Sequence, residues 1–320
     1  MKEHVWTWPI ASYLFLGGLG ASMTIIAAVA DVFFGTGHAF ALSLLASAAF
    51  LAFGSFLLIF ELGRPFQFWR VFSLQKAVLT FGAWMVGLLI VINVVYFSFW
   101  VDWFPWKDLV ALRCIVAVVG ILVACGVLLY TGIELSSMKG RVLWNTPALP
   151  VLFSVSGLLT GVAANALLYG LWPFPGVVEG EFPVGVEGVV MASTIPPAAL
   201  RALCVGLIIA TLIISLVYIL MMYTSSNTAA RNAAKRWLKG SYFSAFWGGL
   251  VVFGLLIPLV IFMVGSSFLD NFAFLFVLLG GVFLRFLVVY SDDRRLLPGE
   301  DVYWNRLPKG DEPFMGKDWG

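Results

Sequence analysis

The chain is short of charge. Only 11% of its 320 residues are Asp, Glu, Lys or Arg, whereas an ordinary soluble domain carries about 25%. With 61% of the residues hydrophobic, too little polar surface is left to cover a soluble core, which excludes a soluble globular enzyme and equally a disordered chain. The net charge of +2 is too small for nucleic acid to be a partner. Soft metal ligands are scarce as well: there are 3 Cys and 2 His. Cys114, Cys125 and Cys204 have no metal-ligand spacing. His4 precedes the first apolar run and His38 follows it. That puts them on opposite membrane faces, about 30 Å apart, and they cannot pair as the axial ligands of one haem. No Lys lies inside an apolar run, which excludes a retinal Schiff base. Gly18-Leu19-Gly20 sits in an apolar run with no strand before it, so it is no dinucleotide fingerprint. The residues predict a protein with no haem, no metal and no redox centre of its own.

Apolar length is what the sequence has in abundance. Eight runs reach the roughly 20 residues that a membrane-spanning helix needs: 9–34, 39–60, 77–101, 110–136, 147–171, 200–224, 242–265 and 270–290. None alternates polar and apolar as the strands of an outer-membrane barrel do. The expected fold is an all-α membrane protein: an eight-helix membrane domain over 1–290 and a polar tail over 291–320. Ala28-Val29-Ala30 has the small-residue pattern of a signal-peptidase site. The run before it is longer than a usual signal core, and Glu3 is acidic where such a segment is basic, so the first run reads as a retained span. A faint repeat connects the halves. Trp8-Pro9 leads to Gly18-Leu19 in the first span, and Trp144 with Pro147 leads to Gly157-Leu158 in the fifth. Both spans start from the same side, so two four-helix bundles related as a parallel repeat are expected.

Eight spans put both termini on one side, together with the loops 61–76, 137–146 and 225–241. Of the 19 Lys and Arg, Arg113, Arg201 and Arg285 fall in or at the ends of spans and Lys107 falls in an opposite-side loop; all the others lie on the side of the termini. The positive-inside rule assigns that side to the cytoplasm. On the other side, the Pro-rich loop 172–199 is the longest connection, suited to a lid, a docking surface or a solvated cap.

Polar groups at membrane depth mark function by default, because a charge at the bilayer centre costs roughly 2.5–3.5 kcal/mol on insertion scales. Glu61 and Arg64 end the second span three residues apart. Tyr130 and Glu134, four residues apart near the end of the fourth, share a helical face on the same side of the membrane. A phenol beside a carboxyl can hydrogen-bond a ligand carbonyl and move protons; the bland reading is an interfacial aromatic next to a snorkelling acid. Arg113, Arg201 and Asp31 lie toward the other face, and Arg285 is well inside the eighth span and needs a partner. These four are candidates for a proton path or for structural intramembrane charge.

Trp8-Pro9-Ile10-Ala11 followed by Tyr13-Leu14-Phe15-Leu16-Gly17-Gly18-Leu19 resembles the start of the NrfD-like membrane subunits, the family of the polysulfide reductase membrane anchor. Glu61-Leu62-Gly63-Arg64-Pro65 with Phe68-Trp69 resembles their second-helix exit. Tyr130-Thr131-Gly132, Trp144-Asn145-Thr146-Pro147 and Ser156-Gly157-Leu158 resemble their fourth-to-fifth-helix region. The likeness covers residues 1–165; beyond them only span number and length agree. It implies eight helices in two bundles and a site for a quinone, menaquinone or ubiquinone, near one membrane face. It also implies a bacterial or archaeal cytoplasmic-membrane location, a ferredoxin-like [4Fe–4S] partner subunit and a molybdopterin-type catalytic partner. Carried over by motif, Tyr130 is the leading quinone-site residue. Geometry adds Glu134, Arg64 and Glu61, and the entrance of the first span adds His4 and Trp8.

Two functions follow. The first is a quinone-reactive membrane subunit exchanging electrons with a peripheral iron–sulfur subunit, with substrate conversion on a partner. The alternative is a secondary transporter or ion-translocating subunit with no redox role, which would use midplane charges; here only Arg285 is one. The charge asymmetry makes a direct prediction. Reporter fusions at Gly320 and within 172–199 are expected to report opposite sides, the first cytoplasmic; a periplasmic signal at Gly320 would overturn the orientation.

Overall fold

The computed structural model describes residues 8–61, 78–138, 141, 143–169, 197–225 and 228–291. The candidate residues His4 and Arg64, most of the 172–199 loop and nearly all of the tail lie outside these residues.

Among the described residues, eight helices are long and apolar enough to cross a membrane. They are α1 (Trp8–Phe34), α2 (Ala41–Glu61), α3 (Val78–Ser98), α4 (Val110–Ser136), α5 (Ala148–Leu168), α6 (Pro197–Thr224), α8 (Ser244–Val264) and α9 (Ser267–Tyr290). A short 3₁₀ turn, Gly37–Phe40, joins α1 to α2. The loop expected over 225–241 is instead largely a helix, α7 (Thr228–Lys239). Its alanines and basic residues give strong helix propensity and a one-sided apolar face, which apolar run length does not reveal.

Successive spans run in opposite directions, as the bonds between helix ends show. Where α1 begins, Tyr218 Oη donates to Leu143 O at 2.6 Å and Trp144 Nε1 to Val288 O at 2.8 Å. We call this end the near face; α7 lies there too. At the far face the start of α4 meets the end of α1 through Arg113 and Asp31, and the start of α6 meets that of α9 through Arg201 and Asp270.

α1 is the central element. Its apolar window is 78% buried, against 33% for α6 and α8, and it packs against α2, α4, α5 and α9. In lipid no hydrophobic effect draws helices together, so close approach through small residues matters more than in water. Gly161 of α5 sits against Ser22 of α1 with no room for a Cβ, and Gly157 lies over the Gly18 carbonyl. The glycines of the faint repeat thus face each other across the α1–α5 contact. Gly254 and Gly280 play the same part between α8 and α9, where a Cβ on either would come within 2.5 Å of the other's Cα. Large side chains that stay exposed, such as Leu122, Leu216, Met263 and Phe268, lie on the outward faces, where lipid is the solvent.

α8 is π-helical over Ser244–Leu256 and becomes α-helical at Ile257. Pro258 explains the change. In a regular α-helix its ring would strike the carbonyl four residues back and it has no N–H to donate. The wider turn relieves both, and Ile257 N–H accordingly bonds Val252 O, five residues back.

The α1–α5 seam generates a prediction. Gly161→Val forces a branched side chain into Ser22, and overpacking of this kind costs about 1–3 kcal/mol. The purified protein is expected to melt several degrees lower in a detergent thermal-shift assay, while Gly206→Ala, inside α6 at a glycine with open space around it, should not lower the midpoint, since Ala is the better helix former.

Candidate functional site

At the near end of the α1–α4 group, two tyrosines and a carboxylate meet. Tyr130 and Glu134 stand one turn apart on α4, and Tyr13 of α1 comes in from the facing helix. Tyr13 and Tyr130 are both 3% exposed, and Glu134, nearer the face, is half-buried. The three polar ends face one another. They stop short of full hydrogen-bond geometry at Tyr130, whose Oη has no partner among the described residues. Elsewhere in the spans buried phenols are satisfied: Tyr96 donates to Asp31 Oδ2 at 2.7 Å and Tyr218 to a backbone carbonyl. A free phenol O–H in a low-dielectric pocket is costly unless something else supplies the acceptor.

The backbone makes room for this ring. Tyr130 lies flat on α3 at Gly82, where any Cβ would sit inside the phenol. Two residues on, Gly132 lets α5 approach at Pro150. Tyr13 in turn lies over Gly54 of α2, as does Leu16. Glu61 is the last residue of α2, two turns beyond Gly54; its side chain lies outside the described residues, as His4 and Arg64 do entirely.

Trp8 occupies a different place. It is 55% exposed and lines an apolar cleft of about 270 Å³ with Ser12, Phe15, Leu16, Phe53, Leu57 and Phe286. The cleft lies between α1, α2 and α9 at the near end, and Leu16, which lines it, shares Gly54 with Tyr13. Cleft and tyrosine pair therefore flank the same α1–α2 crossing.

The intramembrane charges are not gathered around Tyr130. Asp31 and Arg113 pair at the far face, Nε to Oδ2 at 3.2 Å, with the Arg113 guanidinium 4.3 Å from the centre of the Trp100 ring. Arg201 and Asp270 pair at 3.3 Å on the same face. Arg285, 1% exposed, has no carboxylate partner among the described residues. It donates to Ser156 Oγ at 2.7 Å and Phe153 O at 3.0 Å and lies over the Phe153 ring. Half-way through the membrane, Thr24, Ser47 and Asn93 close a hydrogen-bonded triangle that ties α1, α2 and α3 together on the Gly20 carbonyl.

Sequence reasoning did not assign roles to Tyr13 or Gly82. Tyr13 stands in the first quoted motif, but only the fold brings it to Tyr130. Gly82 is one of 32 glycines, and nothing local sets it apart.

Fold and site together define a polytopic helical membrane protein with a cluster of two tyrosines and a carboxylate near one face. A profile of the family described as "Polysulphide reductase, NrfD" matches residues 1–292. The C subunit of polysulfide reductase from Wolinella succinogenes is 31% identical over 312 residues, an overlap of 90% of this protein and 94% of that one. The protein NrfD homolog of Haemophilus influenzae is 27% identical over 317 residues, covering 90% and 94%. Protein NrfD of Escherichia coli is 27% identical over 190 residues, covering 51% and 58%. The chain belongs to the NrfD polysulphide reductase family.

The Gly82–Tyr130 contact can be tested without reference to function. Gly82→Ala is expected to destabilise by about 1–3 kcal/mol through overpacking. Adding Tyr130→Ala removes the ring the methyl strikes, so the double variant should be more stable than the two single changes sum to. Additive thermal shifts would show that the contact is absent.

Proposed function

We propose that this protein is the quinone-reactive membrane subunit of a multi-subunit respiratory oxidoreductase. It exchanges electrons between the membrane quinone pool, menaquinone or ubiquinone, and a peripheral iron–sulfur subunit. The observation that carries the reading is the buried Tyr130 hydroxyl, which faces Tyr13 and Glu134 without reaching full hydrogen-bond geometry to either. A pocket for an apolar ligand with two carbonyl groups needs mostly apolar walls and a few fixed polar groups; the junction supplies the polar groups, and the adjacent Trp8 cleft supplies apolar walls. When bound, a quinone supplies two-electron, two-proton chemistry. The protein's own part is to orient it and move protons. Tyr130 Oη donates to a ligand oxygen, and Tyr13 offers a second hydroxyl beside it. Glu134, half-buried and one turn closer to the near face, passes protons between pocket and water. The Trp8–Phe286 cleft accommodates an apolar tail.

Membership in the family supports the rest of the reading. The Wolinella relative is named as one lettered component of a reductase, which implies others beside it. The partners we propose are a ferredoxin-like [4Fe–4S] subunit and a molybdopterin-type catalytic subunit. The location is the cytoplasmic membrane of a bacterium or archaeon, with the near face cytoplasmic. Glu61, Arg64 and His4 belong by position to the near face and remain candidates for lining the pocket entrance. Arg201 and Arg285, each bonded to a neighbouring helix, read as structural; Asp31 with Arg113 is the candidate for proton exchange at the far face.

Tyr130→Phe removes only the hydroxyl, and Glu134→Gln keeps shape without the proton. Each is expected to lower quinone-linked turnover of the assembled complex by roughly 10–10⁴-fold. Activity with an artificial carrier that bypasses the membrane subunit should persist. Tryptophan fluorescence of the isolated protein should show a quinone analogue binding more weakly to Tyr130→Phe. Wild-type quinone turnover in both intact variants would sink the proposal.

A further inference from the structure

We infer that α7 is the docking surface for an acidic face of the peripheral electron-transfer subunit. The inference rests on the quinone reading above and adds to it where the partner sits and what holds it.

α7 has two opposite faces. Ala230, Ala233, Ala234 and Trp237 are buried, at the i, i+3, i+4, i+7 spacing of one helical stripe. Trp237 anchors the helix: its Nε1 donates to Ser291 Oγ at 2.6 Å, and its ring lies 6.1 Å from that of Tyr218 and 5.6 Å from that of Phe246. On the other side Arg231, Lys235 and Lys239 follow at i, i+4 and i+8, with Asn232 beside them, all exposed. The helix contains no Asp or Glu. Arg231 donates to the Ser225 carbonyl at 3.0 Å, and none of the three basic residues forms an ion pair among the described residues.

This geometry favours a protein over a lipid surface. An amphipathic helix that binds lipid puts its apolar face into the acyl boundary. Here that face is already used against α6 and α8, closing the near end of the protein. The basic stripe therefore points away from the bundle end, toward water. Three like charges four residues apart repel one another along the helix and gain most from an anionic surface laid across them.

Position identifies the partner. α7 follows the end of α6 at the near face, and the Tyr13–Tyr130–Glu134 junction, at the start of α1 and the end of α4, lies toward that same face. Electron transfer falls off steeply with distance, so a subunit that trades electrons with a quinone there must cover the near face. A [4Fe–4S] cluster held by four thiolates carries net negative charge, so the surface over such a cluster suits a basic stripe.

The test uses the full-length protein with its peripheral subunit. Arg231→Glu, Lys235→Glu and Lys239→Glu are made singly and together, with a triple Gln variant to keep helix propensity while removing charge. Wild-type affinity for the peripheral subunit in detergent is expected to fall as salt rises. The triple Glu variant should bind about 10–1,000-fold more weakly, mainly through slower association, with a flattened salt dependence. The triple Gln variant should fall between the two. Quinone-analogue binding to the isolated protein should be unchanged in all of them; its absence from the wild type would count against the quinone reading and not against the docking surface. Wild-type binding of the peripheral subunit by the triple Glu variant overturns the inference. So does a variant that keeps the subunit but sheds co-purified anionic phospholipid, because the stripe is then a headgroup site.

Discussion

Bilayer hydrocarbon offers neither donor nor acceptor, and the polar side chains of this protein are arranged around that constraint. Backbone groups are satisfied inside the helices. Side chains at depth turn back on the nearest carbonyl, as Thr211 and Ser55 do within their own helices, or join helices, as the Thr24–Ser47–Asn93 triangle does. The same rule governs the charges. Asp31 is fully buried and keeps its charge company with Arg113 and the Tyr96 hydroxyl. Removing one partner from such a pair typically costs about 3–5 kcal/mol, because the other is left uncompensated. Several buried polar atoms lack a hydrogen bond among the described residues, Ser22, Ser43, Trp100 and Ser215 among them; the Tyr130 hydroxyl differs in facing a second phenol and a carboxylate.

Much of the fold was legible from composition. Eight spans can be read from run length alone because a span must be long and uncharged whatever it packs against. The placement of Tyr130 and Glu134 on one face followed from helical periodicity, a local property. What stayed hidden was contact between segments. Tyr13 and Tyr130 are 117 residues apart, and only the α1–α4 packing brings them together. Gly82 has meaning only once the ring that lies on it is known. α7 was missed for a different reason: a criterion built on apolar length counts Arg231, Lys235 and Lys239 as loop charge, although their spacing marks one face of a helix. The pairing of Arg113 with Asp31 and of Arg201 with Asp270 was equally invisible. Sequence placed four charges in or near the spans and showed Arg285 to need a partner; the fold paired Arg113 and Arg201 with acids and gave Arg285 to Ser156 and a backbone carbonyl.

The central place of α1 links these features. Its succession of small residues admits α2, α4, α5 and α9 at close range, so one helix borders the tyrosine pair, the apolar cleft, the mid-membrane triangle and the far-face ion pair. Tyr13, Gly20, Thr24 and Asp31 follow one another at intervals of seven, four and seven, which keeps them on one side of the helix, toward α2, α3 and α4. The opposite side meets α5 and α9, where Gly18 leaves room for the Arg285 guanidinium. Helix packing and the placing of polar groups are thus set by the same short stretch of sequence.

A proton-exchanging site of the kind proposed is favoured near one face, and not at the midplane, by energetics. A group that exchanges protons with water must be able to carry charge, and in hydrocarbon that is costly unless an ion pair compensates it. An ion pair would favour one proton state over the other. Glu134 avoids both penalties by standing half-buried at the end of α4, one turn from the near face, with the apolar walls and the fully buried hydroxyl of Tyr130 just below it. The α4 turn from Tyr130 to Glu134 covers about 6 Å of helix rise, from a buried phenol to a half-buried carboxylate; on the proposed reading that is the step between ligand and water. A site deeper in the bundle would need a relay of polar groups to cover the same step, and the residues between Tyr130 and the Thr24 triangle, Leu89, Ala124 and Val127 among them, are apolar and packed.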